Sequence, residues 1–223
     1  MDINEIYKSA RVVFMGTELL VAPGALVPRE ETELLGETAV EIIGSLGVPA
    51  PRVIDMCCGT GNLACGIALR IPDAELWASD LTDRCIELAR CNVRQLGLAE
   101  RVRICQGDLF GGLRGLGLEG TIDAVICNPP YLSGKLLDRR AELLAHEPRE
   151  AFDGGPYGLT VHQRVIRETA AFLRPGGVLL LEIGLGQHRQ VELLFRRAGA
   201  YEEIRFVANA AGEPRVVRGH RKV

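Results

Sequence analysis

The chain has 223 residues, of which 47% are hydrophobic and 25% charged, so it is long enough for one main domain with a full core. A net charge of -3 and a pI near 5.9 argue against a protein whose affinity comes chiefly from nucleic-acid phosphates. The apolar runs are strand-sized and no basic leader precedes one, so neither a signal peptide nor a membrane span is expected, and the expected compartment is the cytoplasm.

In chain order, residues 1 to 10 are too few for a domain. Val12 to Phe14 and Leu19 to Val21, around Met15-Gly16, read as a β-hairpin. Pro23 to Glu33 is turn-rich, and a helical pattern runs from about Glu31 to Leu46, stopping at Gly47. An N-terminal segment with the hairpin (1–30) thus precedes the main domain (31–223). From Arg52 the pattern alternates: strand 52–56, helix 62–70, strand 75–79, helix 83–96, strand 102–106, a Gly-rich loop, and a strand closing at Asn128. After a polar, partly helical stretch through Tyr157 come a helix at 159–173 that stops at Pro175-Gly176-Gly177, a strand at 178–183, a helix at 187–198, and strands at 201–208 and 215–219. This is βαβ repetition, which predicts an α/β fold with a doubly wound, parallel, seven-stranded sheet. The seven cysteines form no Cys-x-x-Cys pair and carry no neighbouring His pattern, so they read as reduced core residues and no metal site is expected.

Val53-Ile54-Asp55-Met56-Cys57-Cys58-Gly59-Thr60-Gly61-Asn62 is a strand, a glycine turn and a helix start. Glycines allow close backbone approach, and the helix start offers N–H donors to an anionic group. Gly59 to Ala64 also fits the loose dinucleotide fingerprint, and Asp80, 25 residues after Asp55, stands where a carboxylate would hold ribose hydroxyls. Both NAD and S-adenosylmethionine accept that much. Asp55 favours a cofactor carrying an ammonium and a sulfonium over a pyrophosphate, and Asp108, followed by Leu109, can accept from an adenine amine while the leucine packs on the ring. The expected cofactor is S-adenosylmethionine, bound by Asp55, Cys57, Gly59, Thr60, Gly61, Asp80, Leu81, Asp108, Leu109 and Asn128.

Asn128-Pro129-Pro130-Tyr131 closes the apolar strand 122–127 at its C-terminal end, where open α/β sheets bind ligands. Two prolines stiffen the backbone and carry no N–H. The Asn128 side-chain oxygen and the Pro129 carbonyl can accept both hydrogens of an amide or amino nitrogen, and Tyr131 offers a flat face beside it. The expected catalytic residues are therefore Asn128, Pro129 and Tyr131. The chemistry needs no strong base; Glu33, Glu147 and His146 are candidates to assist.

Together, Val27-Pro28-Arg29-Glu30-Glu31-Thr32-Glu33, Asp55 to Gly61, Gly107-Asp108-Leu109-Phe110, Asn128 to Tyr131, and Glu147-Pro148-Arg149-Glu150-Ala151-Phe152-Asp153-Gly154-Gly155 with Gly158-Leu159 make the chain resemble the protein-(glutamine-N5) methyltransferases that act on peptide-chain release factors. The resemblance implies a class I S-adenosylmethionine-dependent, Rossmann-like fold and a protein glutamine as methyl acceptor. It places Asn128, Pro129, Pro130, Tyr131, Arg29 and Glu33 at that acceptor, with Asp80 on the ribose and Asp108 on the adenine. Family members usually carry an N-terminal helical domain, whereas about ten residues precede the hairpin here, and Cys57 stands where many have the first glycine. A small amino-acid-like or natural-product acceptor is the alternative. A nucleic-acid adenine methyltransferase acting on a flipped base, or a non-catalytic cofactor-binding subunit, ranks below both, and no membrane partner is expected.

Overall fold

The computed structural model describes residues 3–139 and 147–223. Among them, a short helix α1 (Ile3–Ser9) leads into a hairpin of β1 (Arg11–Phe14) and β2 (Thr17–Leu20) and then helix α2 (Glu30–Ser45). The alternation continues with β3 (Arg52–Met56), α3 (Asn62–Arg70), β4 (Glu75–Asp80), α4 (Asp83–Gln95), β5 (Val102–Gln106), a 3₁₀ turn (Leu109–Leu113) and β6 (Ile122–Cys127). A one-and-a-half-turn α5 (Gly134–Asp138) and a 3₁₀ turn (Arg149–Ala151) precede α6 (Thr160–Phe172), β7 (Leu173–Glu182), α7 (His188–Ala198), β8 (Tyr201–Ala208) and β9 (Pro214–Arg221).

Seven strands form one sheet in the order β5-β4-β3-β6-β7-β9-β8, and the hairpin β1-β2 stands apart from it. Strand residues alternate between two cores, as a period of two requires. Val53, Ala78, Ala124, Ile126 and Leu180 meet α2, α3 and α4, while Ile54, Trp77, Val125, Leu179 and Val217 meet α6, α7 and the first 3₁₀ turn. The chain winds outward from β3 to β5, then returns to lay β6 on the other side of β3. The strand order therefore reverses between β3 and β6, and their C-terminal ends open a crevice.

Two sequence expectations are corrected. The sheet is mixed, because β9 runs antiparallel to both β7 and β8. β8 and β9 are joined by a tight turn, closed by Asn209 N donating to Glu213 O at 2.9 Å. A connection that short allows only an antiparallel pair. β7 also begins at Leu173, with Pro175-Gly176-Gly177 inside it as an irregularity opposite Ile122 to Ala124. A Cβ on Gly177 would lie 2.9 Å from Ile122 O, so close approach of β6 requires glycine there.

The hairpin turn is Met15-Gly16, with φ of 48° and 74°, the left-handed pair that a two-residue hairpin needs. Its Met15 side chain lies between two helices: a Cβ at Gly36 of α2 or Gly66 of α3 would come within 2.4 or 2.8 Å of Met15 Sδ. Phe14, Met15 and Leu19 thereby join the core under α2 and α3. Asn92 of α4, fully buried, completes the attachment. It accepts from Leu20 N (2.7 Å) and donates to Leu20 O (3.1 Å) and Thr60 O (2.9 Å), linking β2 to the loop after β3.

Replacing Asn92 by leucine keeps the branched outline but strands buried backbone groups at a cost of about 1–3 kcal/mol for each one left unpaired, on top of the strain of the larger methyl groups. Urea unfolding of Asn92→Leu is therefore expected at a clearly lower midpoint than the parent, with earlier proteolytic nicking in the hairpin.

Candidate active site

The parallel register pairs Met56 with Cys127, so the residues that follow, Cys57 and Asn128, leave the sheet side by side. Above them is a cavity of about 330 Å³, within the roughly 300–1,000 Å³ range of small-molecule sites. Cys57 and Gly59 form its edge after β3, Asp80 and Leu81 after β4, Asp108 and Leu109 after β5, and Asn128 and Pro130 after β6. Arg29, from the turn before α2, lines the mouth.

The loop after β3 takes left-handed backbone at Cys57 (φ 59°), Gly59 (φ 53°) and Gly61 (φ 77°). Cys57 holds that conformation without being glycine, and Leu109 (φ 49°) does the same across the cavity. Asp80 fixes the loop: its Oδ2 accepts from Gly59 N at 2.9 Å and its Oδ1 from Leu81 N at 2.8 Å. Oδ1 also accepts from Thr82 N at 3.3 Å, so the lone pair left for a ligand hydroxyl is on Oδ2. Asp108 is paired face-on with Arg164 of α6, at 2.9 and 3.0 Å, and it too retains acceptor capacity toward the cavity.

Asp55, Thr60 and Gly61 do not line the cavity. Asp55 shares the face of β3 that carries Val53, so its side chain runs beneath α3, where Oδ2 accepts from Ala64 N at 2.9 Å. Its Oδ1 is buried with no hydrogen-bond partner. Burial, opposed by the Ala64 N–H and reinforced by the Asp80 charge, pushes its pKa up to about 8. Burial thus favours the neutral carboxyl, which supports the loop from below and does not face the cavity as the sequence suggested. Thr60 is buried, and Gly61 packs on Ala89, where a Cβ would lie 3.2 Å from the alanine methyl.

At the tetrapeptide, Asn128 Nδ2 donates to Thr32 Oγ1 of α2 at 3.1 Å. Pro130 lines the cavity, whereas Pro129 is buried behind it. Tyr131 turns away: its hydroxyl lies 3.4 Å from Arg215 Nη2, and the guanidinium sits 5.8 Å from the ring centroid. Burial, with the neighbouring Glu182 carboxylate, pushes the phenol above its ordinary pKa. The segment from Phe152 to Gly158 folds back on this rim. Leu132 N donates to Phe152 O and Gly154 N to Leu132 O, both at 2.9 Å. Gly158, at φ 71°, lies so close that a Cβ there would meet Tyr131 O at 2.3 Å.

Glu147 is a buried clasp: it accepts from Val27 N at 2.9 Å and pairs with Arg29. It thus joins the turn before α2 to the segment after α5 and has no geometry for assisting catalysis. Glu33 accepts from Met15 N at 2.6 Å and does not line the cavity, so it holds the hairpin instead of an acceptor. His146 lies outside the described residues. Thr32 as the Asn128 partner, Arg164, Glu182 and Arg215 were not singled out as site residues in the sequence. Each enters through tertiary packing: Thr32 stands inside the Val27 to Glu33 motif without its role being legible there, and no local pattern marks Arg164, Glu182 or Arg215. Among the described residues no group of three His, Cys, Asp or Glu side chains is placed to hold a metal, and no helix is long and apolar enough to cross a membrane.

Residues 38–204 match the methyltransferase small domain family. The chain is 36% identical over 218 residues to a release factor glutamine methyltransferase of Moorella thermoacetica, covering 97% of this chain and 74% of that relative. It is 38% identical over 191 residues to a 4-amino-L-phenylalanine/4-methylamino-L-phenylalanine methyltransferase of Streptomyces pristinaespiralis, covering 84% of this chain and 63% of that one. Its fold superposes with TM-score 0.66 on a Thermus thermophilus 16S rRNA N2 G1207 methyltransferase solved with AdoMet and guanosine, at 22% identity, over 95% of this chain and 50% of the other.

The raised pKa of Asp55 has a signed consequence. The folded protein keeps this proton up to about pH 8, whereas the unfolded chain releases it near 3.8, so folding takes up a proton between those values. This group's contribution to stability is present at low pH and is lost as pH rises through the interval. Comparing melting temperatures of the parent and Asp55→Asn at pH 5 and pH 8, without ligand, should show the variant gaining on the parent at the higher pH. Parallel curves would refute the buried, protonated carboxyl.

Proposed function

The chain belongs to the methyltransferase small domain family and, within it, to the release factor glutamine methyltransferases, and from that premise we propose that it transfers methyl from S-adenosylmethionine to the side-chain amide nitrogen of a glutamine in a protein such as a peptide-chain release factor. The observation that carries this reading is the Asn128 amide at the cavity rim, with Nδ2 given to Thr32 and Oδ1 left to accept.

The cavity suits the cofactor. Asp80, already oriented by backbone N–H groups, is placed for a ribose diol, and Asp108 and Leu109 offer an acceptor and an apolar wall for the adenine. Gly59 leaves open space where a side chain would stand. When bound, S-adenosylmethionine supplies an electrophilic methyl. The chain's own task is to make a poor nucleophile reactive. An amide lone pair is delocalised by the resonance that gives a peptide bond a rotation barrier of roughly 18–20 kcal/mol. Asn128 Oδ1 and the Pro129 carbonyl accept the two amide hydrogens and aim the nitrogen. Orientation of that kind supplies about 7–11 kcal/mol when reacting atoms are held in near-attack contact. The methylated nitrogen then sheds a proton to solvent, so no buried base is needed. A cytoplasmic site of action goes with this reading.

The Streptomyces pristinaespiralis relative favours a second reading, in which the acceptor is the amine of a small amino acid. The two are separated by mass spectrometry of labelled methyl transfer, offering release factors and, separately, free amino acids and small amides. Label on a release-factor glutamine supports the first reading; label on small amines alone supports the second.

Either acceptor needs Asn128. Asn128→Ala is expected to lower turnover on the order of a hundredfold or more, while calorimetry shows cofactor affinity close to that of the parent. A variant with parental turnover would overturn the mechanism.

A further inference from the structure

An asparagine amide is ambiguous: rotated half a turn, Asn128 would show the acceptor an NH₂ instead of an oxygen. A threonine hydroxyl alone does not resolve this, because it both donates and accepts. The neighbours of Thr32 do. β6 and β7 are parallel with Cys127 opposite Leu181, so Asn128 and Glu182 leave adjacent strands next to one another, on the face covered by α2. Glu182 is 1% exposed and Thr32 is 2% exposed. The Glu182 carboxyl takes Arg215 Nη2 on Oε1 at 3.3 Å, and its buried Oε2 has no hydrogen-bond partner, an open acceptor position for the neighbouring Thr32 hydroxyl; burial pushes the Glu182 pKa up, while Thr32 and the Arg215 charge act against that and favour the carboxylate. Arg215 also reaches Glu31 Oε1 and the Tyr131 hydroxyl, both at 3.4 Å, which fixes it behind the pair.

A carboxylate only accepts, and a hydroxyl has one proton to give. With that proton directed at Glu182, Thr32 has lone pairs alone to offer Asn128, and only Nδ2 can use them. We propose that Thr32 is a positioning residue: its hydroxyl, oriented by the Glu182 carboxylate, accepts from Asn128 Nδ2 and so fixes Oδ1 as the atom that meets the N–H of the methyl acceptor. This rests on the reading of Asn128 as the acceptor-binding group. Tyr131, expected from sequence to lie against the acceptor, instead belongs to the polar cluster that supports the relay.

The test compares Thr32→Val, which removes the hydroxyl at nearly constant shape, with Thr32→Ser, which keeps it, and with Glu182→Gln, whose amide donates as well as accepts. Three quantities are measured: steady-state turnover, cofactor affinity, and hydrogen-exchange protection of the Asn128 side-chain amide in nitrogen-15 spectra, its resonance identified by its loss in Asn128→Ala. Valine is expected to lower kcat about tenfold or more, as one lost hydrogen bond allows, and to abolish the protection with cofactor affinity unchanged. Serine should restore both, and Glu182→Gln should resemble valine. Valine with parental turnover and protection would overturn the proposal, and so would serine no better than valine. Should Asn128→Ala itself prove fully active, the underlying reading of Asn128 fails instead, a result distinct from an inactive Asn128→Ala beside an active Thr32→Val.

Discussion

Everything at the site depends on the parallel pairing of β3 with β6. Because side chains alternate across a strand, the register that sets Met56 opposite Cys127 decides at once which residues face each helical layer and which emerge at the rim. A slip of one residue would point Asp55 at the layer of α6 and α7 and carry Asn128 away from α2. The pairing joins segments 71 residues apart, as Val53 and Ala124 show, so the two halves of the site have no local means of finding one another. The fully buried run 122–127 supplies the specificity, since each of its side chains fits only one of the two cores.

Around that crevice, irregular segments are held by single polar side chains in place of long ladders. Asn92 ties the hairpin to the cofactor-side loop, and Glu147 ties the turn before α2 to the segment after α5. Asp80 gathers the backbone of two loops. Each is a short polar group satisfied by backbone N–H or C=O groups, which lets glycine-rich chain lie over a site without secondary structure of its own. The glycines serve the same end: Gly154 and Gly158 bring their segment against the carbonyls of Pro130 and Tyr131, where no side chain would fit.

Much of this was legible in sequence. β3, α3, β5 and β8 lie where apolar period and glycine punctuation place them, because those signals are local. The direction of β9 was not legible, since Arg215 to Gly219 has the same apolar content whichever way it runs. Pro175-Gly176-Gly177 reads as a break, yet contacts with β6 keep it within a strand. The seven residues of α1 are too few to form a helix on propensity alone, so the sequence carries no strong signal for it. At the candidate site, residue types pointed to the strand ends that line the cavity, while side-chain direction did not follow from them. Asp55, Glu33 and Tyr131 are each turned by register or packing toward partners outside their own motif: the N-terminus of α3 nine residues on, the Met15 amide 18 residues back, and Arg215 84 residues on.

Met15 carries a consequence for how the protein ages. Its thioether occupies the space that two helix glycines leave, with no allowance for an added atom. Oxidation to the sulfoxide would place a polar oxygen between α2 and α3, in an apolar core and beside a turn already in left-handed backbone. The damage would reach beyond the hairpin, because α2 carries Thr32 and α3 begins at the glycine loop. A single buried sulfur thus couples the packing of the hairpin to both helices that frame the rim.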